Sequence, residues 1–173
     1  MTEERETNIL LVEDTEEHGV LMRRALERGK VKPRLFWITD GKEALDFLHN
    51  LGIYADREVN PKPDIILLDL KLPKVSGLEI LEQIKSEEKL REIPVVILTA
   101  SDEGKDIIRG YQGGADSYFT KSVLFLNKGA DSTAILDTVM AMAGVYGPVP
   151  NTIKKSHTGT AASKEVVAYG IKE

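Results

Sequence analysis

Five polar or charged positions stand at the ends of short apolar runs, and their residue types suit one kind of chemistry. Glu13 and Asp14 close "NILLVED", Asp69 closes "DIILLD", Thr99 closes "VVILT" and Lys121 closes "SYFTK". Asp69 is the most demanding of the five. Burying an acid after a run as apolar as "IILL" costs several kcal/mol unless something pairs with it. No neighbour in sequence serves, because Leu70 and Lys71 follow and Pro73 forbids a simple continuation of the strand. Three carboxylates, a lysine and a hydroxyl, if gathered in space, could hold a divalent cation and handle an oxyanion.

The elements that must do the gathering are legible in the hydrophobic pattern. "NILLV" (8–12), "RLFWI" (34–38), "DIILLD" (64–69), "VVILT" (95–99) and "SYFTK" (117–121) are strand candidates. Most are continuous apolar runs, the signature of strands covered on both faces. Between and after them lie helical spacings: Val20, Leu21, Ala25 and Leu26, then Ala44, Leu45, Phe47 and Leu48, then Ile80, Leu81 and Ile84. Ile107, Ile108 and Tyr111 give a short fourth, and Ile135, Leu136, Val139, Met140 and Met142 a fifth. Asp40 with Glu43 three residues on predicts a capping box for the second helix. Strand–helix alternation of this kind predicts an α/β fold: a doubly wound, five-stranded parallel sheet with helices on both faces and right-handed crossovers. Ligands of such sheets sit beyond the carboxyl ends of the strands, and that edge is where Glu13, Asp14, Asp69, Thr99 and Lys121 fall. Asp69 is therefore expected to pair with neighbours in space.

Charge decides what else belongs there. Three carboxylates against one lysine leave two negative charges over, and carboxylates packed closely raise one another's pKa unless a cation compensates. An all-oxygen set of few ligands suits Mg²⁺ better than Zn²⁺. Asp69 is then equipped to attack a phosphoryl group, with the metal and Lys121 on the transferred oxygens and Thr99 donating a hydrogen bond.

These motifs in combination, "LVED" (11–14), "LLDLKLPKVSG" (67–77), "ILTAS" (97–101) and "GGADSYFTK" (113–121), resemble a two-component response-regulator receiver domain over roughly residues 8–146. The resemblance implies the flavodoxin-like receiver topology. It implies that Glu13, Asp14, Asp69 and the main-chain carbonyl of Lys71 hold Mg²⁺. It also implies that Asp69 accepts phosphate from a histidine-kinase phosphohistidine, that Thr99 and Lys121 sense it, and that Tyr118 is the aromatic switch. Beyond its own phosphorylation and dephosphorylation chemistry, no enzymatic activity is expected. The long connection at 51–62, "DLKLPK" and "REIPVVILTAS" look most like the single-domain regulators paired with bacterial and cyanobacterial phytochrome kinases.

Bulk properties agree. At 173 residues the chain is long enough for one cored domain, and 42% hydrophobic with 29% charged residues is a globular composition. A net charge of −5 argues against nucleic-acid binding. The absence of cysteine excludes disulfides, thiolate metal sites and cysteine nucleophiles. No apolar stretch approaches the ~20 residues of a membrane helix, and the charged start does not suit a signal peptide, so no membrane partner and a cytoplasmic location are expected.

Taken singly, most features have duller explanations. Glu13 and Asp14 could cap a helix, Thr99 could be an ordinary β-branched strand residue, Lys121 a solvated flank and Tyr118 packing. His18, His49 and His157 show no metal or phosphotransfer spacing and are taken as surface or packing residues. Coincidence at four strand ends tips the balance. A haloacid-dehalogenase-like phosphatase would need a second acid where Lys71 stands. A flavodoxin-like cofactor binder would need a phosphate loop where "EDTEEHG" is acidic. Receiver-like modules that work without phosphate typically lack acids of the site.

Two departures from the family pattern stand out. Ser122 takes the place of the proline that usually follows the lysine, and residues 123–133 carry Val123, Leu124, Phe125 and Leu126, which need cover from the core or from a partner. Residues 147–173 are rich in Gly, Pro, Ser, Thr and Lys and are expected to be a flexible tail after a receiver domain at 1–146. That tail is too short for a DNA-binding or catalytic output unit. A protein partner, a second copy or the kinase, is expected instead of DNA.

Overall fold

The structure is a computed structural model and describes residues 6–28, 33–100 and 109–121. Five parallel strands form one sheet: β1 (Thr7–Val12), β2 (Pro33–Ile38), β3 (Ile65–Asp69), β4 (Val95–Thr99) and β5 (Ser117–Thr120). Their order is β2-β1-β3-β4-β5, with every neighbouring pair parallel. Each strand falls within a residue of its expected position. The doubly wound expectation holds.

Alternation along the strands explains why their sequences are continuous apolar runs. Ile9, Leu11, Ile65, Leu67, Val96 and Leu98 point to one face and pack under Met22 and Leu26 of α1 (Glu16–Glu27). Leu10, Val12, Ile66, Leu68, Val95 and Ile97 point to the other, under α2 (Gly41–His49) and α3 (Gly77–Ser86). A strand buried on both sides has no place for the alternating polar residue of a half-exposed one. Large core side chains such as Phe47, Leu10 and Ile66 are fully buried; at ~25 cal/mol per Å² this burial is the main stabilising term.

Two local expectations are corrected. In α1 the inward positions are Gly19, Met22 and Leu26, whereas Val20 and Leu21 are only half-buried. They line an open groove with Thr15, Glu16, Glu17 and Arg24. Gly19 is inward because the Trp37 ring lies where a side chain would start. At α2, Asp40 caps by accepting from the amides of Lys42 and Glu43, but the Glu43 carboxylate is engaged by the Tyr54 hydroxyl and the box stays half-formed. The complete capping box belongs to α3, where the Ser76 hydroxyl accepts from the Glu79 amide and the Glu79 carboxylate from the Ser76 amide.

The connection from α2 to β3 is built rather than loose. Asn50 ends α2 with a left-handed φ of 53° and its side-chain Nδ2 donates to the carbonyls of Tyr54 and Asn60. Tyr54 stacks edge-on against Phe47 at 5.3 Å. Ile107 and Ile108, Ser122, the apolar stretch 123–133, the fifth helical pattern from Ile135 to Met142 and the tail from Gly147 lie outside the described residues.

Candidate functional site

In this strand order the chain turns back between β1 and β3, and the crevice beyond their carboxyl ends is the natural ligand position. Glu13 and Asp14 follow β1 at that point, and Asp69 is the last residue of β3. One carboxylate oxygen from each of Glu13, Asp14 and Asp69 lies within 4.8 Å of the others. Glu13 and Asp69 are buried and Asp14 is exposed, so the cluster opens to solvent on one side.

Main-chain bonds fix the acids. The Glu13 amide donates to the Ile38 carbonyl at 3.1 Å, and the Glu13 carbonyl accepts from the Trp37 indole at 2.9 Å, so β2 grips this residue from both sides. The Thr15 amide donates to Glu13 Oε1 at 3.1 Å. Asp69 Oδ1 accepts from the Lys71 amide at 3.0 Å, and the Gly77 amide donates to the Leu70 carbonyl at 3.0 Å. Gly77 lies so close to the Asp69 carbonyl that any Cβ would sit inside its van der Waals shell. The start of α3 is thereby pressed against the acid, and the left-handed φ of 66° at Lys74 brings the chain round to it.

Lys121 supplies the compensating charge that Asp69 required. Its buried ammonium donates to Glu13 Oε2 at 2.6 Å and to Asp69 Oδ2 at 2.9 Å. Burial pushes the Glu13 carboxyl up, and the Asp69 charge adds to this; the Lys121 hydrogen bond opposes them without cancelling the rise. For Lys121 burial acts downward, but hydrogen bonds and charge from Asp69 and Glu13 outweigh it and raise the ammonium above its ordinary 10.5. A group of acids that prefers more positive charge than one lysine brings is what a divalent cation would fit, and its donors are all hard oxygens.

Thr99 ends β4, is 2% exposed and stands in register with Thr120, next to Lys121. Tyr118, in register with Ile97, has its ring buried edge-on against Tyr111 at 5.8 Å. Burial, with the facing Tyr118 second, pushes the Tyr111 hydroxyl up to about 12. Lys71 is exposed. All five expected strand-end residues thus share one edge of the sheet, and Tyr118 lies on the strand that leads to Lys121.

Two residues of the site were not foreseen. Trp37 holds the Glu13 carbonyl, and only the pairing of β1 with β2 reveals this. His18, taken from the sequence as a surface or packing residue, lies with Nδ1 3.1 Å from the Lys121 ammonium and 3.6 Å from Glu13 Oε1. Its signal was position: it sits one helical turn after Asp14, in the first turn of α1, on the stretch that leaves the acids.

Comparison with known proteins agrees with this geometry. Residues 9–127 match the response regulator receiver domain, and the chain belongs to that family. Its members are signalling phosphoacceptors of phosphorelays, with phosphorylation of an aspartate in the presence of Mg²⁺ as a general property, and they bind divalent cations at an acidic pocket. The chain is similar to the probable methanogenesis regulatory protein FilR2 of Methanothrix harundinacea, 47% identical over 68% of this chain and 73% of the relative. It is 41% identical to response regulator Rcp1 of Synechocystis over 66% of this chain and 76% of the relative. The structure of Mn²⁺-bound Rcp1 superposes with a TM-score of 0.68 at 34% identity, covering 83% of this chain and 99% of that one. The phosphorylated cyanobacterial phytochrome response regulator RcpA gives 0.65 at 34% identity, covering 82% and 94%.

Proposed function

We propose that Asp69 is the phosphoryl acceptor of a single-domain response regulator that switches a protein-binding face. The observation that carries this is the buried Asp69 carboxylate, paired to Lys121 at 2.9 Å and clustered with Glu13 and Asp14 at the sheet's switch point. Glu13, Asp14 and Asp69, with the main-chain carbonyl of Lys71, would hold Mg²⁺, which when bound draws charge from the oxygens of a transferring phosphoryl group. In transfer from a phosphohistidine, an Asp69 oxygen forms the new O–P bond as the N–P bond breaks, and the imidazole nitrogen leaves with the electron pair. Lys121 stays beside the acceptor as a fixed positive charge, and Thr99 offers its hydroxyl to a phosphoryl oxygen. Moving toward that oxygen, Thr99 would leave room for the Tyr118 ring and so change the β5 face in a two-state shift.

The donor is a sensor histidine kinase, and the likeness to Rcp1 and RcpA supports one of the phytochrome type. The open groove on α1, beside the acids, is a surface such a partner would meet. The receiver domain is assigned to 1–146 and an appended tail to 147–173. A cytoplasmic location and output through a homodimer or the kinase, without DNA contact, complete the proposal; no helix among the described residues is long and apolar enough to cross a membrane.

Mass spectrometry after incubation with acetyl phosphate and Mg²⁺ tests the acceptor. A single phosphoryl adduct is expected on the wild type and none on Asp69→Asn. Undiminished modification of the variant would overturn the assignment.

A further inference from the structure

An ammonium has three hydrogens, and the structure gives each of those on Lys121 a partner: Glu13 Oε2 at 2.6 Å, Asp69 Oδ2 at 2.9 Å and His18 Nδ1 at 3.1 Å. The first two are carboxylates from β1 and β3; the third is a ring nitrogen from the first turn of α1. An ammonium can only donate, so Nδ1 presents its lone pair and the ring proton sits on Nε2. Nδ1 also lies 3.6 Å from Glu13 Oε1, at the edge of the same cluster.

The three partners differ in what else they are needed for. Glu13 and Asp69 belong to the oxygen set that, with Asp14, spans only 4.8 Å and suits a hard cation. Asp69 is also the proposed nucleophile. Both carboxylates thus have a second demand on their oxygens besides Lys121. The His18 nitrogen is outside that oxygen set, and a hard cation prefers carboxylates to imidazole. It is the partner that can keep the ammonium in place while the carboxylates change theirs.

We propose that His18 is a positioning residue for Lys121, holding the ammonium beside the Asp69 oxygen through phosphoryl transfer. This rests on the acceptor role of Asp69, and its test separates the two. His18 is half-exposed, with 30% of its side chain accessible, so replacing it leaves the core intact. Three proteins are compared: wild type, His18→Leu, and His18→Asn, whose side-chain oxygen can replace Nδ1 as acceptor.

The first readout is the ¹⁵N-detected Lys121 ammonium signal in metal-free protein. It is expected to be protected from solvent exchange in wild type and His18→Asn and exchange-broadened in His18→Leu. The second is the rate of Asp69 phosphorylation by acetyl phosphate at saturating Mg²⁺. It is expected to fall about tenfold in His18→Leu, the equivalent of one hydrogen bond to a charged group, and to recover in His18→Asn. In a Lys121→Ala background, His18→Leu should cause no further loss, since a residue acting through Lys121 has nothing left to act on. Equal rates in wild type and His18→Leu, or the same tenfold loss in both backgrounds, overturn the proposal. A wild type that takes no phosphoryl group overturns the acceptor role instead, and the ammonium signal then decides whether His18 holds Lys121.

Discussion

Lys121 and the two carboxylates it bridges form a buried charge system in which each member makes the others tolerable. Removing the cation strands two acids in low dielectric, so Lys121→Met is expected to cost about 3 kcal/mol at neutral pH in the absence of metal. Urea unfolding checks this, and added Mg²⁺ should recover more stability in the variant than in the wild type, because it supplies the missing charge. The folded ammonium titrates above its ordinary 10.5, so its stabilising contribution is complete below that pH and is lost only as pH rises through the folded value. Asp14 is the exposed acid of the cluster. Asp14→Ala should leave the melting temperature within a few degrees while abolishing Mg²⁺ dependence of phosphorylation.

Elements set how firmly these residues are presented. The acid-bearing turn after β3 is held by the capping box of α3 and by Gly77. Ser76→Ala is expected to cost about 1 kcal/mol through the lost cap. Gly77→Ala should do more harm than its size suggests, since its methyl would push on the Asp69 carbonyl; thermal melts with and without Mg²⁺ would show loss of both stability and metal response. Asp40, the cap of α2, has its carboxyl held below the ordinary 3.8, first by the hydrogen bond from Lys74 and then by the Glu43 amide. A depressed folded pKa stabilises above the ordinary value and loses that contribution as pH falls through the folded one. Asp40→Asn keeps an acceptor at the cap but not the charge. The wild-type advantage over it should therefore be present at neutral pH, shrink below about pH 4 and vanish in stronger acid, as paired denaturation curves would show.

At the scale of the whole molecule, the sheet turns four separate strand ends into one site, and β5 is the strand expected to report on it. Tyr118 is buried against Tyr111 at the far side of Thr99's strand. Beryllofluoride, a phosphoryl mimic, is expected to shift the amide resonances of Tyr118, Tyr111 and their neighbours while α2 stays unchanged. If output runs through a second copy, sedimentation of the beryllofluoride-treated protein should move from monomer toward dimer. An unchanged β5 face would remove the switch, and a monomer in both states would leave the kinase as the partner.

What the sequence determined by itself was whatever depends on local pattern: the positions of five strands, the sheet class, and the strand-end acids, threonine and lysine. Continuous apolar runs carry that information because a strand covered on both faces cannot accommodate a polar residue except at its end. The family motifs added the order of the site. Only the tertiary structure decided the rest, because the remaining contacts join residues distant along the chain. Which acceptors surround Lys121 depends on β1, β3 and α1 meeting at one edge, and this is why His18 looked like a surface residue until α1 was packed. Trp37 could be tied to the Glu13 carbonyl only once β2 was laid beside β1. Glu43 fitted a capping box by spacing, yet a Tyr54 hydroxyl brought in by the following connection was the better partner. Spacing along a chain proposes partners, but a hydrogen bond goes to whichever group folding places within reach.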